Sequence, residues 1–399
     1  MRKIIGIVLF CIVLVFILVI HELNLKGDSG LLKPTGSYGI GYQDVSLVNT
    51  TLCPDKFHIP NTNENDFSAE NTKHCHEVML RVYYPSQQKL SLGDRYYAPF
   101  MADMITWLVS TVHLSQSETH LLNSILNVRT YAHANVKPVV NKKFPVVIFM
   151  SGSGQPAQNY NNIISDLVSH GYIVIGINSV FINGALALSN EHIVLPPKSY
   201  FDRDGQITSL QDLKFTLSHL RTINYKDDLA QHMSFNEVGL IGHSRGAMTV
   251  VHFLEQSKEA RGNFKAIILM DPENMQGQTK YPLPRFIMPT MTIWSSYYKN
   301  SRHATVTLGK NDCEVILVPD IKNEHYSNHE NFSDFSTLQY HPAFLIPKIH
   351  NFLMDLSNEQ IGTGDGYEIA KVINNHVLSF FNTYLGEGNH ESGFYKEKH

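Results

Sequence analysis

The sequence predicts an α/β fold: a mainly parallel, doubly wound sheet with helices on both faces. Three observations carry the prediction. Short runs that are apolar without alternation recur from residue 144 onward, among them Val146-Val147-Ile148-Phe149, Ile173-Val174-Ile175 and Ile267-Ile268-Leu269. A strand buried on both faces shows no polar side, so such runs belong inside a parallel sheet. Segments with a helical period stand between them, as at Ile207, Leu210, Leu213, Leu217 and Leu220. Finally, the apolar run Val238-Gly239-Leu240-Ile241 passes through Gly242-His243-Ser244-Arg245-Gly246 into a helix-compatible stretch, Met248 to Leu254. Strand and helix alternating in this way wind a parallel sheet.

The elements follow in order. Tyr38 to Val48 and Glu77 to Tyr84 read as two early strands, the second stopped by Pro85. Residues 96–140 read as a mostly helical insertion with an apolar face able to roof a pocket. The buried strand Pro145–Met150 runs into Ser151-Gly152-Ser153-Gly154, then a helix over 162–170, the strand Tyr172–Ile177, and a helix within 206–229. After the Ser244 turn the helix continues to about Lys258, and strands follow at Phe264–Met270, Thr290–Trp294 and Glu314–Val318. Residues 342–386 read as two helices. Residues 37–386 are thus expected to form one α/β domain, with a polar, unstructured tail over 387–399.

Ahead of that domain, residues 23–36 carry Lys26-Gly27-Asp28-Ser29-Gly30 and Lys33-Pro34-Thr35-Gly36, turn signals that suggest a linker. Residues 1–22 hold Arg2 and Lys3, then an unbroken apolar run from Ile4 to Ile20. A basic flank and an apolar run of that length fit a signal anchor, or a signal peptide if the segment is cleaved. No small-x-small cleavage site follows, which favours an anchor that leaves the remainder exported on the far side of a membrane. Of four cysteines, Cys11 lies in the apolar run. Cys53 and Cys75 flank a polar stretch that a disulfide could close in an oxidising compartment, leaving Cys313 a thiol. His74-Cys75-His76-Glu77 makes a poor metal site, because neighbours on a strand face opposite ways. No metal or cofactor is expected. A net charge of −4 argues against nucleic acid as a partner.

Gly-x-Ser-x-Gly between a strand and a helix has a mechanical reading. A serine at the tip of so tight a turn sits in strained backbone, and residues two before and two after it must lack a Cβ to clear strand and helix. Ser244 would then present its hydroxyl above the sheet edge, with the Arg245 N–H turned towards a developing oxyanion. A serine hydroxyl needs an imidazole to take its proton and a carboxylate to hold that imidazole. In α/β-hydrolases these come from later strands in the order Ser, acid, His. The acid usually follows the second strand beyond the serine, but here that strand ends Ile293-Trp294-Ser295-Ser296, with no carboxylate. One strand earlier Asp271 directly follows Ala266–Met270 and is the better candidate. For the base, His325 and His329 both occupy the right loop, and the residues alone do not separate them. His243, beside the serine, faces the wrong way on the turn and is expected to pack behind the nucleophile.

Ser244, Asp271 and the loop His329-Glu330-Asn331-Phe332-Ser333-Asp334-Phe335 together resemble the platelet-activating factor acetylhydrolase family, as does Leu80-Arg81-Val82-Tyr83-Tyr84-Pro85. The resemblance covers roughly residues 76–355. It implies an α/β-hydrolase fold, an acid one strand early, and His329 as the base. It also places Ser153 at the position of the second oxyanion N–H, with Gly152 and Gly154 letting the backbone approach. Two departures are visible: Arg245 stands where the family commonly has a bulky apolar residue, and Ser151-Gly152 where it has His-Gly.

These readings lead to a serine esterase or lipase acting on hydrophobic carboxylic esters through an acyl-enzyme. The resemblance implies a phospholipid or platelet-activating-factor-like substrate with a short acyl chain. The alternatives are a short-chain or polyester esterase on the same fold, and a catalytically silent hydrolase fold used for binding. Asn49-Thr50-Thr51 and Asn331-Phe332-Ser333 match the glycosylation sequon but read as incidental, the second because a glycan there would obstruct the site.

Overall fold

Alternation within the apolar strands explains the layers of the computed structural model. It describes residues 30–53, 75–96, 113–179, 183, 186–187, 193–194, 203–223, 225–256, 263–272, 282–296, 305–306, 312–317, 326–341 and 362–386. In strand β4 (Phe144–Met150), Val146, Ile148 and Met150 join one core cluster while Val147 and Phe149 join another. Successive side chains point to opposite faces, so a run apolar at every position fills two cores at once. The first cluster holds Leu213 of helix α3 (Arg203–His219) and Val250 and Val251 of α4 (Arg245–Gln256). The second holds Ile164 and Val168 of α2 (Asn161–Ser169) and Val377 and Phe381 of α5 (Gly366–Leu385). Each such residue, buried completely, contributes about 1.5–3 kcal/mol.

Among the described residues the main sheet has nine strands: β1 (Gly39–Asn49), β2 (His76–Ser86), β3 (Ala132–Ala134), β4, β5 (Ile173–Ser179), β6 (Met233–His243), β7 (Ala266–Met270), β8 (Thr290–Ser295) and β9 (Cys313–Leu317). Their spatial order is β9-β8-β7-β6-β4-β5-β2-β1-β3. From β5 through β9 all neighbours run parallel, whereas β2 is antiparallel to both β5 and β1. The chain leaves β4 towards β5 and returns to β6 on the other side. That reversal opens a crevice at the carboxyl ends of β4 and β6, where doubly wound sheets bind ligands.

Two expectations differ from the structure. Residues 30–36 do not behave as a linker. They lie along α2: Leu32 N donates to Asn162 Oδ1 (2.8 Å), Thr35 N and Oγ1 donate to Asp166 Oδ1 (2.7 and 2.8 Å), and Gly36 N donates to Ser169 Oγ (2.9 Å). Polar side chains of the helix supply the acceptors that turn-forming residues lack among themselves.

The insertion is less helical than its apolar spacing suggests. In its described part only α1 (Gln116–Asn123), opened by a Ser115–Glu118 capping box, and a following 3-10 turn, Ser124–Asn127, are helical. Beyond them the chain extends, because the edge of β1 offers unpaired backbone to β3 and Pro85 O accepts from Val139 N (2.9 Å). Residues 97–112 lie outside the described residues.

Of the two helices expected over 342–386, the described part contains α5, whose N-terminus is capped by Asp365 accepting from Tyr367 N and Glu368 N. The anchor assigned to residues 1–22 and the tail 387–399 lie outside the described residues. Among the described residues no helix is long and apolar enough to cross a membrane. Cys53 and Cys75 are joined by a disulfide, bridging the end of β1 to the start of β2, and Cys313 is a thiol.

Candidate active site

Ser244 follows β6 directly and opens α4, with φ at 55°. The flanking glycines are required by contact. A Cβ on Gly242 would lie 2.7 Å from backbone atoms of Ala247, and one on Gly246 would lie 2.2 Å from Met150 O. Ser244 N donates to Met270 O (2.9 Å), tying the turn to the end of β7, where His243 and Met270 pair. The next residue on β7's side is Asp271, also at positive φ (38°) and fully buried. Two left-handed residues on neighbouring strand ends are strain concentrated at one place, which is characteristic of functional sites.

Asp271 Oδ1 accepts from Ser295 N (2.8 Å), and Oδ2 accepts from Ser295 Oγ (2.5 Å). His329 Nδ1 lies 3.3 Å from the same Oδ2. His329 begins a 3-10 turn, His329–Phe332, set by Asn328, whose side chain accepts from His329 N, while Asn331 Oδ1 accepts from Asn328 N (2.6 Å) and Gly362 N (3.2 Å). The side chain of the second sequon asparagine is therefore committed within the fold. Of the two candidate bases, His329 meets Asp271; His325 lies outside the described residues.

Ser151–Gly154 leaves β4 beside the serine turn: a Cβ on Gly152 would stand 3.2 Å from Ser244 Cβ. Ser153 follows in that loop, and Gly154 takes φ of 74°. The loop is held from several sides. Gly152 N donates to Tyr160 Oη (3.2 Å), and Asn183 Nδ2 donates to Gly152 O (2.9 Å). Gln155 Nε2 donates to Glu330 Oε2, joining the loop to the residue beside His329. His243 bonds through Nδ1 to Tyr160 Oη (2.8 Å), with its ring centre 4.6 Å from that of His329. Burial first, and then the neighbouring His329, hold its pKa well below the ordinary histidine value. His243 is thus held neutral, packed against Tyr160 and His329.

The His329 loop is fastened by Asp334. Its Oδ1 accepts from Asn162 N (2.8 Å); its Oδ2 accepts from Asn161 N (2.8 Å), Asn161 Nδ2 (3.1 Å) and Tyr96 Oη (3.1 Å). The carboxylate thus caps the start of α2, where unpaired N–H groups favour an anion. Burial still pushes its pKa up to about 6. The roles of Tyr160, Asn183, Ser295 and Asp334 were not read from the sequence. A serine pair ending the strand that lacks its usual acid was the one available signal.

Sheet order, the serine turn at the switch point and a buried Asp–His contact define an α/β-hydrolase of the serine ester hydrolase class. The family model described as platelet-activating factor acetylhydrolase, isoform II, matches residues 28–179, and a chlorophyllase model matches residues 131–293. Platelet-activating factor acetylhydrolase of Cavia porcellus is 25% identical over 340 residues, covering 77% of this chain and 72% of the relative. That of Bos taurus is 22% identical over 398 residues, covering 90% and 78%. A ferulic acid esterase from Streptomyces cinnamoneus superposes with a TM-score of 0.63 at 17% identity, covering 90% of this chain and 93% of the esterase, a likeness of fold. The chain is an α/β-hydrolase that is similar to the platelet-activating factor acetylhydrolases over most of its length.

Proposed function

We propose that the chain hydrolyses carboxylic esters through Ser244, His329 and Asp271. His329 Nε2 takes the Ser244 hydroxyl proton as the oxygen attacks the ester carbonyl; Asp271 holds Nδ1 and balances the imidazolium that forms. The oxyanion of the tetrahedral intermediate lies against the backbone N–H groups of Arg245, at the start of α4, and Ser153. His329 then returns the proton to the departing alcohol, and water, activated the same way, releases the acyl group. The observation that carries this reading is the 3.3 Å contact of His329 Nδ1 with buried Asp271, whose strand end is bonded to the Ser244 turn.

The substrate we propose is a phospholipid of the platelet-activating-factor type with a short acyl chain, supported by the names of the relatives and by the apolar sequence of the insertion. Residues 37–386 make the catalytic unit, exported and held at a membrane by residues 1–22; the Cys53–Cys75 disulfide supports an oxidising compartment. The test is fluorophosphonate labelling and turnover of wild type, Ser244→Ala and His329→Ala on short-acyl phospholipid and on aryl esters. Labelling is expected only where Ser244 and His329 are both present, with turnover falling by about 10³ or more in each variant. Full turnover by Ser244→Ala would refute the mechanism, and activity confined to aryl esters would refute the substrate.

A further inference from the structure

The strand that lacks the usual acid ends in two buried serines, and the structure gives both a partner in the site. Ser295 grips the Asp271 carboxylate at two points, backbone N–H to Oδ1 (2.8 Å) and hydroxyl to Oδ2 (2.5 Å). A carboxylate only accepts, so the hydroxyl is the donor. Two donors on the two oxygens fix rotation about the Cβ–Cγ bond, which a single donor would leave free. The oxygen gripped by the hydroxyl is the one that faces His329 Nδ1 (3.3 Å). Ser296, next along, exchanges bonds with the loop that carries His329: Ser296 N donates to Ser327 Oγ (2.9 Å) and Ser327 N donates to Ser296 Oγ (3.0 Å). The end of β8 therefore sets where the acid points and where the histidine loop begins. Asp271 itself is bonded to the same strand through its N–H, which donates to Ile293 O (2.9 Å).

We propose that Ser295 is a positioning residue of this hydrolase: its hydroxyl, standing at the strand end where an acid is usual, aims Asp271 Oδ2 at His329. The inference rests on the triad proposed above. With the hydroxyl gone, the carboxylate keeps one fixed oxygen and can turn the other away from the imidazole. His329 then loses the partner that orients it in the transition state, while binding of the ester in the crevice is untouched. Ser295 has no exposed surface and never meets the substrate, so it acts through Asp271 alone.

The experiment compares Ser295→Ala, Ser295→Thr and Ser295→Val with Asp271→Asn, using a chromogenic short-acyl aryl ester, with circular dichroism to establish folding. Ser295→Ala deletes one oxygen and opens little space, so it is the decisive variant. Its kcat is expected to fall about tenfold or more, with KM within about twofold, because the lost interaction matters only in the transition state. Threonine, which keeps the hydroxyl, should return most of that loss; valine, of the same shape without it, should not. A folded Ser295→Ala with wild-type kcat, or equal activity of the threonine and valine variants, would overturn the proposal. Asp271→Asn separates the two levels of argument. If it is nearly inactive while Ser295→Ala is fully active, the triad stands and the role of Ser295 falls. If it retains wild-type turnover, the triad itself is wrong.

Discussion

Replacing Asp334 by alanine should loosen the loop that carries His329 and cost about 3–4 kcal/mol of stability. The magnitude comes from the donors left behind. Four are aimed at this fully buried carboxylate: the N–H groups of Asn161 and Asn162 (2.8 Å each), Asn161 Nδ2 and Tyr96 Oη (3.1 Å each). A hydrogen bond to a charged group contributes about 1.5–3 kcal/mol, but four bonds to one group do not add, and burying the charge opposes them. Removing one side of a buried charged network costs about 3–5 kcal/mol, which sets the scale.

The pH dependence tests the same account. Burial raises the Asp334 pKa from 3.8 to about 6, so the folded state holds this proton more tightly than the unfolded chain. The proton-linked part of its stability is therefore full below about pH 3.8 and is lost as pH rises through about 6, while the cost of leaving the four donors unpaired persists at pH 7. A displacement of that size is worth on the order of 3 kcal/mol. Asp334→Asn has no such titration, so its deficit relative to wild type should be greater at pH 4 than at pH 7. Urea unfolding of the three proteins at both values measures these differences. An alanine variant within about 1 kcal/mol of wild type at pH 7, or an asparagine deficit independent of pH, would refute the reasoning.

Two further outcomes follow from contacts already described. Gly246→Ala would put a methyl group 2.2 Å from Met150 O and 2.5 Å from Ser151 O, so the serine turn and the Ser151–Gly154 loop must separate. Ester turnover should fall about a hundredfold or more and stability by about 2 kcal/mol, read by rate assay and thermal melting; near-wild-type values in both would show that the turn is not packed as described. Replacing Cys53 and Cys75 by serine opens a closed loop of sequence separation 22. Denaturant unfolding should show a loss of about 3 kcal/mol, and a reductant should then leave the variant's midpoint unchanged while lowering that of wild type.

Some of the site was legible because its causes are local. Gly242 and Gly246 report on the backbone immediately around Ser244, where a Cβ would strike Ala247 or Met150, and any chain that makes this turn must solve the same steric problem. The continuously apolar strands could be read because alternation along one strand fills both cores. Asp271 was found as a charge at the mouth of an apolar strand, and Cys53 and Cys75 as the flanks of one polar stretch. His329 is singled out in the sequence only through the resemblance to the family's loop motif, since His325 has equal standing on residue type alone.

What only the tertiary structure decided are pairings between segments with no period in common. Asp334 meets α2 across 173 and 172 residues of sequence, Ser295 meets Asp271 across 24, and Thr35 meets Asp166 across 131. Turn signals in residues 30–36 suggested a linker because the acceptors that hold them lie on a distant helix. Residues 128–140 extend because the open edge of β1 offers backbone partners that apolar spacing does not reveal. Composition, periodicity and local sterics thus determined the sheet, the serine turn and the charge at the end of β7, because each is settled within a few neighbouring residues. The bonds of Ser295 to Asp271 and of Asp334 to α2 arise when the folded sheet brings remote polar groups together, and burial then requires each to find its partner.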